Sequence, residues 1–148
     1  MFRTAPLFPA LLFALPAWAD GSVHVHDGWV ASTEAPEARL FLEIENEGSG
    51  PVDIVGFATD RGTAELAAPA LDGGREVVAL GVYPLDPGQA LEMAPDAVHV
   101  RLTGLDAPLV EGERFEIRVM VEPGEEVVAN VLVEGPDAES EDHSGHDH

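Results

Sequence analysis

Apolar and polar positions alternate along most of this chain with a period of two. Leu40, Leu42 and Ile44 alternate with Phe41, Glu43 and Glu45, which predicts a half-buried strand. Phe115, Ile117, Val119 and Val121 do the same against Glu116, Arg118 and Met120. Val23 and Val25 alternate with His24 and His26, and Val98, Val100 and Leu102 with His99, Arg101 and Thr103. Residues 52–58, 76–82 and 127–133 are further apolar strand candidates. Turn signals separate these runs: Gly48-Ser49-Gly50-Pro51, Asp72-Gly73-Gly74, Asp86-Pro87-Gly88, Ala94-Pro95-Asp96 and Pro123-Gly124. About seven to nine strands at this spacing predict an all-β fold, an immunoglobulin-like antiparallel β-sandwich or a barrel. No long stretch has helical periodicity, and no internal repeat is visible.

Both ends depart from the pattern. Arg3, the short apolar run over residues 7–15 and Ala17-Trp18-Ala19 have the layout of a secretory signal peptide over residues 1–19. The run is too short to span a bilayer, and Pro6, Pro9 and Pro16 argue against a core helix. Export to the periplasm is the expectation, with no stable membrane insertion after cleavage. The sandwich domain then occupies residues 20–134. Beyond it lies a tail over residues 135–148, which after Gly135-Pro136 carries no apolar side chain larger than Ala. Such a segment cannot offset its ordering entropy, so a disordered acidic tail is expected.

Charge narrows the choice of partner. Seven Arg and no Lys stand against 28 Asp plus Glu, a formal charge of −21 over 148 residues. Such a polyanion repels phosphate backbones and anionic lipid, and attracts cations. The absence of Cys removes disulfides, thiolate metal sites and Cys nucleophiles together. No G-x-S-x-G, H-E-x-x-H or phosphate-binding glycine loop is present, so no enzymatic chemistry is expected.

The six histidines carry what chemistry there is. His143, His146 and His148 lie in the tail among Asp142 and Asp147, where a flexible His-x-x-His-x-His segment can wrap a metal ion. His24 and His26 are two apart in a strand and leave the same face, where they can share an ion. His99 shares its strand face with Arg101, a cation that opposes metal binding. All six are candidate ligands. Imidazole suits Cu(II), Zn(II) and Ni(II). Since the neutral ring is the ligand, binding is expected to collapse as pH falls through about 6.5.

Several stretches, taken in order, resemble the PCu(A)C family of periplasmic copper chaperones. These are Asp27-Gly28-Trp29-Val30-Ala31, Leu40-Phe41-Leu42-Glu43-Ile44-Glu45-Asn46 with Gly48, Ala64-Glu65-Leu66, Leu85-Asp86-Pro87-Gly88, Val98 to Leu105 and Leu109-Val110-Glu111-Gly112-Glu113. The resemblance covers about residues 22–134. It implies a cupredoxin-like β-sandwich, Cu(I) held by two His and two Met, and delivery of copper to the Cu(A) centre of cytochrome oxidase. By position, the family's first His falls on Ala67, its first Met on Val77 or Val78, its second His on His99 and its second Met on Arg101. One ligand of the four survives. What remains favours Cu(II) or zinc over soft Cu(I).

The expected function is therefore periplasmic copper binding or chaperoning through His ligands, with a copper-accepting periplasmic or membrane protein as partner. The alternatives are a metal-free β-sandwich interaction module and a zinc or nickel scavenger.

Overall fold

The computed structural model describes residues 22–69, 77–124 and 126–140, apart from the side chains of Val77 and Val78. Twelve strands lie among them: β1 (Val23–Val25), β2 (Gly28–Ala31), β3 (Ala38–Phe41), β4 (Glu43–Asn46), β5 (Val52–Ala58), β6 (Thr63–Pro69), β7 (Val77–Ala79), β8 (Tyr83–Leu85), β9 (Ala90–Glu92), β10 (His99–Thr103), β11 (Arg114–Glu122) and β12 (Glu126–Glu134). They form a three-stranded sheet, β1-β4-β9, and a nine-stranded sheet, β7-β6-β10-β3-β2-β12-β11-β5-β8. The two sheets face each other as an all-β sandwich, as the alternation predicts.

One face of each sheet supplies the core. Val30, Leu40, Ile44, Val100, Leu102, Ile117, Val119 and Val131 are wholly buried there, each removing apolar surface worth about 1.5–3 kcal/mol from water. The long alternating pair β11 and β12 forms a seven-residue antiparallel register from Arg114↔Leu132 to Met120↔Glu126. β12 also pairs β2 in parallel, from Val131↔Gly28 to Glu134↔Ala31. This is a departure from a purely antiparallel sandwich, and the intervening chain supplies the long crossover that a parallel pair needs.

Three details differ from the sequence reading. The single strand expected over 40–45 is two strands broken at Leu42, because the chain passes there from the large sheet to the small one. Strands β2, β6, β8 and β9 lie outside the stretches that the sequence reading marks as strands. The chain beyond Glu134 is not featureless: Ala138–Ser140 makes one 3-10 turn with Ala138 buried, packed against β2. Among the described residues no helix is long and apolar enough to cross a membrane.

Candidate metal centre

His99 opens β10. Val100 and Leu102 point into the core, so alternation sends His99 and Arg101 to the outer face of the large sheet. Yet His99 is only 1% exposed. Ala31, Phe41, Ala67 and Ala138 are likewise buried without joining the main core cluster. A second, thin apolar layer thus lies outside the sandwich, with His99 in it. The Phe41 ring stands 6.2 Å from the imidazole and 4.6 Å from Trp29. Across the ladder His99 faces Ala67, and Arg101 faces Glu65 and Arg39.

The imidazole is oriented by one contact. Its Nδ1 lies 3.0 Å from the Ala97 carbonyl oxygen. A carbonyl only accepts, so in the neutral ring Nδ1 carries the proton and Nε2 carries the lone pair. Among the described residues, the buried Nε2 has no hydrogen-bond partner. Burial, the largest influence, holds His99 below the ordinary imidazole range; Ala97 opposes it, Arg39 adds to it, Glu139 opposes it, and Arg101 adds least. The result is a neutral imidazole with an unused donor, the form a metal ion binds. Arg101 is engaged by Glu37 at 3.2 Å and Glu65 at 3.9 Å, which offsets much of its charge at the site.

Arg39 links the tail root to this layer. Its Nη1 donates to the Pro95 carbonyl at 2.8 Å, two residues before the carbonyl that orients His99. Its Nη2 forms an ion pair with Glu139. The Glu139→Ala variant should therefore loosen the turn and raise the reactivity of His99 towards diethyl pyrocarbonate severalfold. Mass spectrometry of the modified peptides would read this, and an unchanged His99 rate would separate the turn from the shielding.

The second cluster lies on the small sheet. His24 in β1 and His26 just past its end are exposed, their rings 4.5 Å apart edge to face. His24 stands opposite Glu45 in the ladder. His26 Nε2 lies 3.5 Å from both Glu43 Oε1 and Glu45 Oε2. A hydrogen bond with Glu45, then burial, holds Glu43 above the ordinary carboxylate range. The same bond, then His26, holds Glu45 below it. The two crowded carboxyls thus ionise unequally, Glu45 more readily than Glu43. Donor atoms of His26, Glu43 and Glu45 all lie within 4.8 Å of one another. Glu43 and Glu45 were legible only as the wet side of a strand; the pairing of β1 with β4 is what brings them to His26.

The structure groups His24 with His26 and keeps His99 apart from them. His143, His146 and His148 lie outside the described residues, as do the side chains of Val77 and Val78. Ala67, facing His99, offers no donor. Met120 packs over Gly56, on a strand separated from β10 by β3, β2 and β12. Met93 packs against the core.

Comparison with known proteins follows the same lines. A family model described as LpqE-like, named for a lipoprotein, matches residues 23–133. A protein of Leifsonia xyli subsp. xyli named as a lipoprotein, Lxx21020, is 27% identical over 130 residues, covering 86% of this chain and 78% of that protein. The apo PCuAC domain from PmoF1 superposes with a TM-score of 0.66 at 24% identity, covering 78% of this chain and 96% of that one. The copper-bound PCuAC domain from PmoF2 gives 0.65 at 19% identity, covering 78% and 95%. The Cu(I) form of DR1885 from Deinococcus radiodurans gives 0.55 at 21%, covering 78% and 81%. The fold is that of PCuAC domains.

Proposed function

Since the chain belongs to the LpqE-like family, we propose that it is an exported copper-binding carrier that holds copper through imidazoles and yields it to a copper-accepting protein. The observation that carries this reading is the buried His99 Nε2, a lone pair without a partner among the described residues. An unpaired buried polar atom costs about 1–3 kcal/mol, a cost that a ligand-binding role accounts for. Copper-bound structures of similarly folded domains support the choice of metal. Names of relatives as lipoproteins support export, in keeping with the signal-like residues 1–19. His24 and His26 supply further exposed imidazoles, and His143, His146 and His148 are further candidate ligands. Such ligands suit transfer, because a partner can displace them one at a time. The copper-accepting subunit of cytochrome oxidase is one partner of this kind, and no catalytic step is assigned.

One observation favours a metal-free interaction module instead: Ala67 faces His99 where a second donor would complete a site. Copper titration against a competing chelator, in both oxidation states, decides between them. The chain should bind copper at least about tenfold more tightly than a variant with all six His replaced, given that even groups that merely orient a ligand contribute about 10- to 100-fold. Equal binding by the two would leave the interaction module standing.

A further inference from the structure

The small sheet buries Val23, Val25, Ile44 and Leu91 against the core and turns its other face outward. Alternation collects on that face polar side chains from its strands: His24 from β1 with His26 just past its end, Glu43 and Glu45 from β4, and Glu92 from β9. We propose that this face is a distinct site for a borderline divalent cation, zinc(II) or copper(II), held by His26, Glu43 and Glu45 with His24 as the fourth donor. The proposal deepens the metal-handling reading, but stands on separate residues from His99.

Geometry is the first argument. Ligands about 2.0–2.2 Å from a tetrahedral ion stand about 3.3–3.6 Å from one another. His26 Nε2 is 3.5 Å from a carboxylate oxygen on each side, so two edges of such a tetrahedron already exist. His24 sits beside them with its ring 4.5 Å from His26, on a strand position facing Glu45. A side-chain torsion of exposed His24 brings a second nitrogen to the open corner.

Donor chemistry is the second argument. Two imidazole nitrogens and two carboxylate oxygens, with no sulfur, suit Zn(II) and Cu(II) and not Cu(I). Two carboxylates balance a divalent charge, and a third, Glu92, stands opposite Glu43 in the ladder. His99 is not within this donor group, so the two sites load independently.

The test uses the exported chain with His143, His146 and His148 replaced by Ala, so that the tail cannot compete, and zinc(II) alone as the probe. Calorimetry should show one saturable zinc per chain. The double variant Glu43→Gln/Glu45→Gln and the single variant His26→Gln should each weaken it at least tenfold, while His99→Leu leaves it unchanged. The His26, Glu43 and Glu45 side chains are exposed or half-buried, and circular dichroism confirms that all the variants fold. In the parent, paramagnetic Cu(II) should first broaden the amide resonances of Val23–Val25 and Glu43–Asn46. Zinc bound as tightly by the double variant, no saturable zinc, or broadening confined to other strands would each overturn the site. Failure of the copper-carrier reading would show differently, as copper binding indifferent to His99→Leu, and would leave the zinc result intact.

Discussion

Replacing His99 with leucine is expected to abolish copper binding at the outer-layer site while leaving the fold as stable as before. Leucine fits the apolar layer of Phe41, Ala67 and Ala31. It removes the unpartnered Nε2, relieving about 1–3 kcal/mol, and loses the Nδ1–H bond to Ala97, costing about 0.5–1.5 kcal/mol. The two nearly cancel, so the melting temperature should stay within a few degrees of the parent or rise. A histidine kept for structure would behave oppositely, with a large loss of stability on replacement. Copper affinity at this site should fall by at least about 100-fold, since even groups that merely orient a ligand contribute about 10- to 100-fold. Chelator competition in the background lacking the tail histidines measures it; affinity equal to the parent would remove His99 from the site.

The same variant carries a pH signature. His99 is held below the ordinary imidazole range, so between that depressed value and about 6.5 the unfolded chain binds the extra proton and the folded chain does not. Stability contributed by the neutral ring is therefore present above about 6.5 and drains away as pH falls towards the folded value. His99→Leu should lack this part of the acid sensitivity. For the metal the sign is opposite in effect. A lone pair protected from protonation keeps its copper below pH 6.5, so release from His99 should come later on acidification than the sequence reading expects of an unshifted imidazole.

The sandwich was legible wherever one face of a strand is wet. β11 and β12 alternate over nine residues each and read directly as strands. β2 hides because Gly28, Val30 and Ala31 are all buried: one side meets the core and the other the outer layer, so no alternation survives. β6 is Ala-rich and ends on Pro69, while β8 and β9 are three residues each, too short for a period to show. The same outer layer explains His99. Alternation correctly places it beside Arg101 and away from the core, but a residue on that face reads as wet. Its burial depends on Phe41 and Ala67, which come from other strands. Likewise His24 and His26 read as a pair from spacing alone, whereas Glu43 and Glu45 join them only through the pairing of β1 with β4.

Asn46→Ala is expected to be among the most damaging single changes to the fold, and it acts through the turn that the motif Asn46 to Gly48 encodes. Asn46 is 1% exposed at the end of β4. Its Nδ2 donates to the Gly50 carbonyl at 2.9 Å and the Leu85 carbonyl at 3.0 Å, and its Oδ1 accepts from the Gly48 amide at 3.0 Å. Leu85 belongs to β8 at the edge of the large sheet, so this one amide closes the 47–51 turn and ties the small sheet to the large one. Alanine removes three hydrogen bonds at once. The buried bond to Leu85 leaves a carbonyl unpaired, at about 1–3 kcal/mol, and the two half-buried bonds add about 0.5–1.5 kcal/mol each. A loss of about 3 kcal/mol corresponds to a melting temperature about 10 °C lower for a domain of this size. Asn46→Asp separates the donors from the acceptor: the carboxylate still accepts from Gly48 but faces two carbonyl oxygens it cannot bond. It should be the worse variant at neutral pH and recover relative to the parent on acidification, when its protonated form can donate again. Thermal melts of both variants between pH 4 and pH 8, set against the parent, measure this; two variants with the same deficit at every pH would show that the donors to Gly50 and Leu85 do not matter.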